Sequence, residues 1–242
     1  MIFKKQTIQS QFPSLSNYKT KKVPLYFDNA CMTLKPQVVI DELVSYYEQH
    51  PSCHNRAIHE FGELTSKKYS QARKKVKSFI NSSSEKSIIF TKNTTESINI
   101  IAKGIGLKKN DSVLTSDIEH NSNYLPWQFA VHSSEINHLV FEIPVSGEFD
   151  IDAYENYLIN NKVKLVSTFY TSHVLGITLP IKKMCAIAHK HGALFLLDAA
   201  QAAGHQEIDV IDLDIDFMAF SFHKIFGPSG IGCLYGKQDL LN

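Results

Sequence analysis

This chain has few of the features that mark a membrane protein, a nucleic-acid binder or a disulfide framework. Only four of its 242 residues are cysteines, and none forms a C-x-x-C pair, which argues against both a zinc knuckle and paired disulfides. No apolar run could span a bilayer, and Met1 to Gln6 lack the apolar core of a signal peptide. The net charge is only +1, with no long basic block. We therefore expect a cytoplasmic protein with reduced thiols that binds neither nucleic acid nor a membrane.

Motifs for nucleotide binding are missing as well. Gly104-Ile105-Gly106 is followed by no third glycine in register and is typical of a helix C-terminus, and there is no G-x-x-x-x-G-K-[ST] segment. We find no internal repeat and no low-complexity tract. The composition, 43% hydrophobic and 20% charged, is that of a folded domain with a sizeable core.

The order of apolar segments predicts the fold class. Residues 1–25 are polar, contain Pro13 and Pro24, and indicate an N-terminal arm, with one large domain over 26–242. Helices are predicted from Pro36 and over Tyr69 to Ile80. Strands are predicted at Ile88 to Thr91, Ser112 to Thr115, His138 to Ile143, Lys164 to Phe169, Ala193 to Leu197, Ile215 to Phe220 and after Gly232, with helices between most of them. Such alternation is typical of an α/β fold, here a mostly parallel seven-stranded sheet with helices on both faces.

Two polar residues at strand ends indicate a pyridoxal-phosphate site. Lys224 lies on a short polar turn after one apolar strand, where a desolvated amine can bond covalently to a carbonyl group. Asp198 ends the preceding apolar strand and can keep a pyridine nitrogen protonated, which makes the ring an electron sink. In parallel sheets, ligands bind at the carboxyl ends of strands, where both residues are expected.

The alternative is that Lys224 is a surface lysine and Asp198 a capping residue. Further blocks in a fixed order favour the cofactor site. They are Tyr26-Phe27-Asp28-Asn29-Ala30, Arg56-Ala57-Ile58-His59, Phe90 to Ser97, Glu119 to Asn123 with Pro126-Trp127, Asp198 to Ala202, and Ser221 to Pro228. From about Tyr26 to the last residue the sequence resembles the class V aminotransferases of the fold-type I pyridoxal-phosphate enzymes, most closely their cysteine desulfurase and selenocysteine lyase branch.

The resemblance implies a pyridoxal 5'-phosphate cofactor, held by the large domain of the fold, and no metal. It places phosphate at Asn93-Thr94-Thr95-Glu96, where the alternative from the residues alone is a capping box at a helix start. The roles that it implies are a phosphate cup of Thr94, Thr95, Ser221 and His223; a ring-stacking and proton-transfer role for His120; contacts of His173 and Gln201 with the ring oxygen; the ring-nitrogen contact of Asp198; the covalent and catalytic role of Lys224; and a substrate contact of Arg56.

This chain departs from the family pattern at two positions and at its end. His173 stands where the family usually has asparagine, and Phe222 where it usually has glycine. The family's smaller C-terminal domain carries the sulfur-accepting cysteine and a carboxylate-binding arginine, and we expect that domain to be absent here. Cys31 is a candidate thiol near the cleft, although free cysteines are mostly small buried hydrophobes.

The expected function is sulfur mobilisation from L-cysteine, or selenium from selenocysteine, leaving L-alanine. The resemblance implies a homodimer, a sulfur-acceptor protein and a place in iron–sulfur cluster assembly. Two alternatives stay open at this point. One is another amino-acid lyase, epimerase or transaminase of the same family; the other is a truncated, non-catalytic homologue that binds cofactor or dimerises.

Overall fold

The computed structural model of this chain describes residues 8–16, 25–144 and 146–241. The backbone divides into two compact units. The smaller unit comprises the described residues up to Val76 together with Phe222–Ser229, and the larger comprises Lys77–Ser221 and the residues after Ser229. Residues 1–7 and 17–24 of the predicted arm lie outside the described residues, so the boundary between an arm over 1–25 and a domain over 26–242 stays a prediction.

A seven-stranded sheet forms the core of the larger unit. Its strands are β1 (Ile88–Thr91), β2 (Ser112–Ser116), β3 (Asn137–Phe141), β4 (Val163–Phe169), β5 (Leu194–Asp198), β6 (Phe217–Ser221) and β7 (Gly232–Gly236). Their order across the sheet is β1-β7-β6-β5-β4-β2-β3. Strands β2, β3, β4, β5 and β6 are mutually parallel, and β7 is antiparallel to both β6 and β1. The predicted mostly parallel seven-stranded sheet is thus confirmed.

Burial along the strands shows that both faces of the sheet are covered. Every residue of β2, β6 and β7 is buried. Because successive strand residues point to opposite faces, five consecutive buried residues require packing on both sides. This explains why the sequence shows near-continuous apolar runs there instead of strict alternation.

The described connections of the larger unit contain the α-helices α4 (Thr94–Gly104), α5 (Asn121–Ser134), α6 (Ile151–Asn160) and α7 (Ile181–Lys190). Local caps determine where these helices begin. The Asn93 side chain accepts the N–H of Glu96 at the start of α4, and Asp150 accepts the N–H groups of Asp152 and Ala153 at the start of α6. Packing of α4 against α5, β6 and β7 then places its first turn at one edge of the sheet.

The smaller unit contains α1 (Pro13–Ser16) and α2 (Gln37–Gln49), and α3 (Glu60–Phe79) crosses into the larger unit near its end. The helix predicted over Tyr69 to Ile80 begins nine residues earlier than expected, because Gly62, Thr65 and Ser66 interrupt the short apolar pattern of Phe61 and Leu64. The helix predicted from Pro36 is present, but none of its residues is buried. Val38 and Tyr47 are 71% and 72% exposed, since no other described element covers them.

No helix among the described residues is long and apolar enough to cross a membrane.

Candidate active site

The carboxyl ends of neighbouring parallel strands gather polar residues at one edge of the sheet in the larger unit. β2 ends at Ser116, β4 at Phe169, β5 at Asp198 and β6 at Ser221. Phe169 and Asp198 are direct partners in the ladder between β4 and β5. This is the edge at which parallel α/β sheets bind their ligands.

Asp198 is held in place by its own backbone environment. The residue is 5% exposed. Its Oδ1 accepts the N–H of Ala200 at 2.9 Å, and its backbone oxygen accepts the N–H of Tyr170 at 2.9 Å. A buried carboxylate at a strand end, fixed by the turn that follows it, is suited to pair with a cationic ring nitrogen.

A cluster of hydroxyl groups lies at the first turn of α4. The N–H of Thr94 donates to Ser221 Oγ at 2.8 Å, and the two hydroxyl oxygens lie 2.7 Å apart. Both residues are buried, at 5% and 2% exposure. The turn can come this close to β7 because residue 232 is glycine: a Cβ there would lie 2.6 Å from the Cα of Asn93.

Asn93 is the capping residue of this turn, as the alternative of a capping box predicts, and Glu96 reaches back to the N–H of Lys92 at 2.6 Å. The cap does not exclude an anion site, since hydroxyls and helix N–H groups remain at the same end of α4. Thr95 is exposed, and its hydroxyl lies 2.7 Å from that of Ser122 in the first turn of α5. Sequence reasoning missed Ser122, because only the packing of the two helix starts brings it to Thr95.

His120 and His173 come together at the same edge of the larger unit. Their ring centroids are 5.0 Å apart with the planes at 74°, an edge-to-face contact. His120 caps α5, and its Nδ1 accepts the N–H of Ser122 at 3.1 Å, which leaves the proton of a neutral ring on Nε2. His173 lies in a turn in which Ser172 Oγ accepts the N–H groups of Val174 and Leu175.

Next to His120 lies a buried polar network centred on Glu119, which the sequence reasoning did not select. The carboxyl group accepts four hydrogen bonds, from Ser116 Oγ, Thr168 Oγ1, the N–H of Phe169 and Asn123 Nδ2, at 2.6, 2.8, 3.2 and 2.8 Å. Burial, together with a smaller effect of the charge on Asp198, raises the pKa of Glu119 to about 7 against the opposing effect of three side-chain hydrogen bonds. The only signal in the sequence is its place beside His120 in the Glu119 to Asn123 block.

The turn that contains Lys224 belongs to the smaller unit and is fastened by residues near the start of that unit. The backbone oxygen of His223 accepts Thr33 N at 3.0 Å, Thr33 Oγ1 at 2.9 Å and Lys35 Nζ at 2.8 Å. Thr33 Oγ1 also accepts the N–H of Phe226 at 2.8 Å. Burial, together with the charges of Lys224 and Lys35, lowers the pKa of His223, so its imidazole is neutral at pH 7.

The other predicted residues are less deeply placed. Gln201 is half-buried and precedes a short 3-10 turn over Ala202–Gly204 in the larger unit. Arg56 and Cys31 are exposed in the smaller unit. Among the predicted site residues, the structure therefore joins Thr94 to Ser221 and His120 to His173 directly. Their roles toward a cofactor stay predictions.

Comparison with known proteins agrees with these motifs. Residues 25–242 match the family described as aminotransferase class-V. A cysteine desulfurase of Synechococcus elongatus is 40% identical over 240 residues, which is 97% of this chain and 38% of that protein. A probable cysteine desulfurase of Halalkalibacterium halodurans is 39% identical over 96% of this chain and 57% of its own length. The chain thus spans between about a third and 60% of the curated relatives it matches.

Solved structures give the same result for the fold. The apo structure of cysteine desulfurase from Thermococcus onnurineus NA1 superposes with a TM-score of 0.90 at 33% identity, covering 99% of this chain and 58% of that one. The cysteine desulfurase CsdA from Escherichia coli has a TM-score of 0.87 at 31% identity, covering all of this chain and 60% of that one. The resemblance and the fold class predicted from the sequence are both confirmed.

Proposed function

Because the chain belongs to the aminotransferase class-V family, we propose that it is the cofactor-binding part of a pyridoxal-phosphate enzyme of the cysteine desulfurase type. The observation that carries this proposal is the carboxyl edge of the sheet in the larger unit. A buried aspartate, Asp198, and a hydroxyl-lined helix start, formed by Thr94 and Ser221, lie on the same edge.

The residues present fit the cofactor. The first turn of α4 supplies N–H groups and the positive end of a helix dipole, and the hydroxyls of Thr94, Thr95 and Ser221 can donate to phosphate oxygens. Asp198 can accept a hydrogen bond from a protonated pyridine nitrogen. When bound, pyridoxal phosphate supplies an electron sink for the pair of electrons left at the substrate's Cα.

We assign the remaining roles to the residues of this chain that match the family motifs. Lys224 would hold the cofactor through its amine and would carry the proton of the substrate's Cα. His120 would pack against the cofactor ring, while His173 and Gln201 would donate to its oxygen. His223, kept neutral by burial and by its lysine neighbours, donates to phosphate without adding a charge. Arg56 is assigned to the substrate.

The proposed substrate is L-cysteine, with alanine and transferred sulfur as products. The names of the relatives support this choice, and a neighbouring solved structure, SspA in complex with cysteine, aligns at a TM-score of 0.81 over 89% of this chain. A homodimer, a cytoplasmic location, a sulfur-acceptor protein and a part in iron–sulfur cluster assembly belong to the same proposal.

Covalent trapping of the cofactor tests the proposal. The purified chain is incubated with pyridoxal phosphate, reduced with borohydride and digested, and the modified peptide is identified by mass spectrometry. We expect one adduct, on Lys224, which Lys224→Ala removes. The matched control is Lys92→Ala, a change at a side chain that is 79% exposed, and it should keep the adduct. An adduct on another lysine, or none at saturating cofactor, would contradict the assignment.

A further inference from the structure

Glu119 is a buried carboxyl group for which the proposed function has no role so far. It is 8% exposed and follows β2 by three residues in the larger unit. Its Oε1 accepts the N–H of Phe169, and Phe169 is the ladder partner of Asp198. The carboxylates of Glu119 and Asp198 are thus linked through the end of β4. The negative charge of Asp198 disfavours ionisation of Glu119.

The hydrogen-bond donors around Glu119 are arranged for a carboxylate. Trp127 Nε1 can only donate, and it points to Asn123 Oδ1 at 3.4 Å. This contact orients the amide of Asn123, so its Nδ2 must face Glu119 Oε2, at 2.8 Å. The other oxygen receives the backbone N–H of Phe169. Each carboxylate oxygen therefore accepts from a group that cannot reverse its role.

All four donors to Glu119 in the described part of the chain are neutral. The charge of an ionised Glu119 is therefore stabilised by hydrogen bonds alone, close to a second negative charge on Asp198. Burial, reinforced by Asp198 and opposed by the side-chain hydrogen bonds, raises the pKa of Glu119 to about 7. A positive charge placed next to Asp198 would relieve the repulsion between the two carboxylates.

We propose that Glu119 is a positioning residue that acts through Asp198, its negative charge helping to hold a proton on the ring nitrogen of bound pyridoxal phosphate. The inference rests on the proposed function and deepens it: two carboxylates, rather than Asp198 alone, set the protonation of the ring. The same hydrogen bonds fasten the start of α5, and with it His120, to the ends of β2 and β4.

The test measures the ring nitrogen directly. Pyridoxal phosphate labelled with ¹⁵N in the ring is loaded into the wild-type chain, Glu119→Gln, Glu119→Asp and Thr168→Val, and the ¹⁵N shift is followed from pH 6 to 9.5. In Glu119→Gln we expect the ring proton to be lost at a pH lower by about one unit, since a nearby charge shifts a pKa by about that much. Glu119→Asp, which keeps the charge, should restore most of the wild-type profile.

Thr168→Val is the matched control, because it removes one hydrogen bond to Oε1 but keeps the carboxylate. It should leave the ¹⁵N profile close to that of the wild type. Equal profiles in Glu119→Gln and the wild type would overturn the inference while leaving the proposed function intact. A shift as large in Thr168→Val would also overturn it, because packing would then be the cause. Failure of the wild type to take up the cofactor would refute the proposed function, and this inference with it.

A second measurement needs no variant and applies if Glu119→Gln does not fold. The chain is labelled with ¹³C at the glutamate carboxyl carbons, and the resonance that titrates near pH 7 is followed without ligand, with inorganic phosphate and with pyridoxal phosphate. We expect its midpoint to fall by about one pH unit with the cofactor and not with phosphate, because only the ring brings a positive charge to Asp198. An unchanged midpoint in the loaded chain would overturn the inference.

Discussion

Two groups of carboxylates, each with a buried member, lie at opposite edges of the same sheet in the larger unit, and their surroundings differ. At the carboxyl edge, Glu119 and Asp198 lie close together, and the groups that donate to Glu119 are neutral. At the amino edge, Asp216 contacts His189 Nε2 at 2.8 Å and Lys237 Nζ at 2.8 Å, and also accepts the N–H of Phe195. Asp214, 65% exposed, contacts the same histidine and lysine.

The difference separates an edge whose carboxylates contact a lysine from an edge whose buried Glu119 has only neutral donors among its described partners. Burial lowers the pKa of Lys237, but its hydrogen bonds to Asp214 and Asp216 outweigh that effect and raise it, as expected of a completed ion pair. Glu119 shows the opposite behaviour, because burial raises its pKa to about 7 and no cation among its described partners compensates. An incompletely neutralised carboxylate beside a ligand edge is typical of a functional site.

Asp216→Ala should have the largest effect on stability. It removes a carboxylate whose side chain is 4% exposed, and with it the acceptor of the Phe195 N–H, the contact with His189 and one of the two ion pairs of Lys237. Breaking a buried pair in this way costs about 3 kcal/mol. Urea unfolding of the cofactor-free chain measures the change. A loss below about 1 kcal/mol would show that the amino-edge cluster is not a stabilising ion-pair network.

The pH dependence of stability should separate the two edges further. The pKa of Glu119 is about 7 in the folded chain and 4.5 as the reference for the unfolded chain, so the folded state binds more protons between these values. The contribution of Glu119 to the free energy of unfolding is therefore fully present below pH 4.5 and is lost as the pH rises through about 7. The whole change in the free energy of unfolding is on the order of 3 kcal/mol, because the two pKa values differ by about 2.5 units.

Glu119→Gln should reduce the fall in stability between these pH values. The urea midpoint at pH 5 and at pH 7.5 measures that fall. Glu135→Gln is the control, since the Glu135 side chain is exposed and its partner among the described residues is the equally exposed Lys109. If the urea midpoint of Glu119→Gln changes with pH as much as that of the wild type, another group titrates. The proposed difference between the two edges would then be wrong.

Asp214→Asn should have the smallest effect, although Asp214 contacts the same His189 and Lys237 as Asp216. Its side chain is 65% exposed, so water and salt screen the pair, and we expect a loss of about 0.5 kcal/mol or less. The same urea titration compares it with Asp216→Ala. Equal losses in the two variants would show that burial is not what distinguishes these aspartates.

Much of the fold was predictable, because the strands are short apolar segments with polar residues at their ends. The positions of Asp198, Ser221 and the Thr94 turn at the carboxyl edge follow from that pattern. The early start of α3 was missed, since residues 60–68 contain only two apolar side chains, Phe61 and Leu64, followed by polar residues. The exposure of α2 was also unexpected, because an apolar helix face in a sequence does not say what covers it.

By itself, the sequence determined the alternation of strands and helices, the family, and which residue types stand at each strand end, because these depend on local patterns of apolar and polar residues. Tertiary structure alone decided the partners of Glu119, 49 and 50 residues away on β4, and the pairing of His189 with Asp216, 27 residues away. Such contacts depend on strand order and register, which bring distant residues to one edge. Burial there raises the pKa of Glu119, and the register of β6 and β7 brings Asp216 to Lys237.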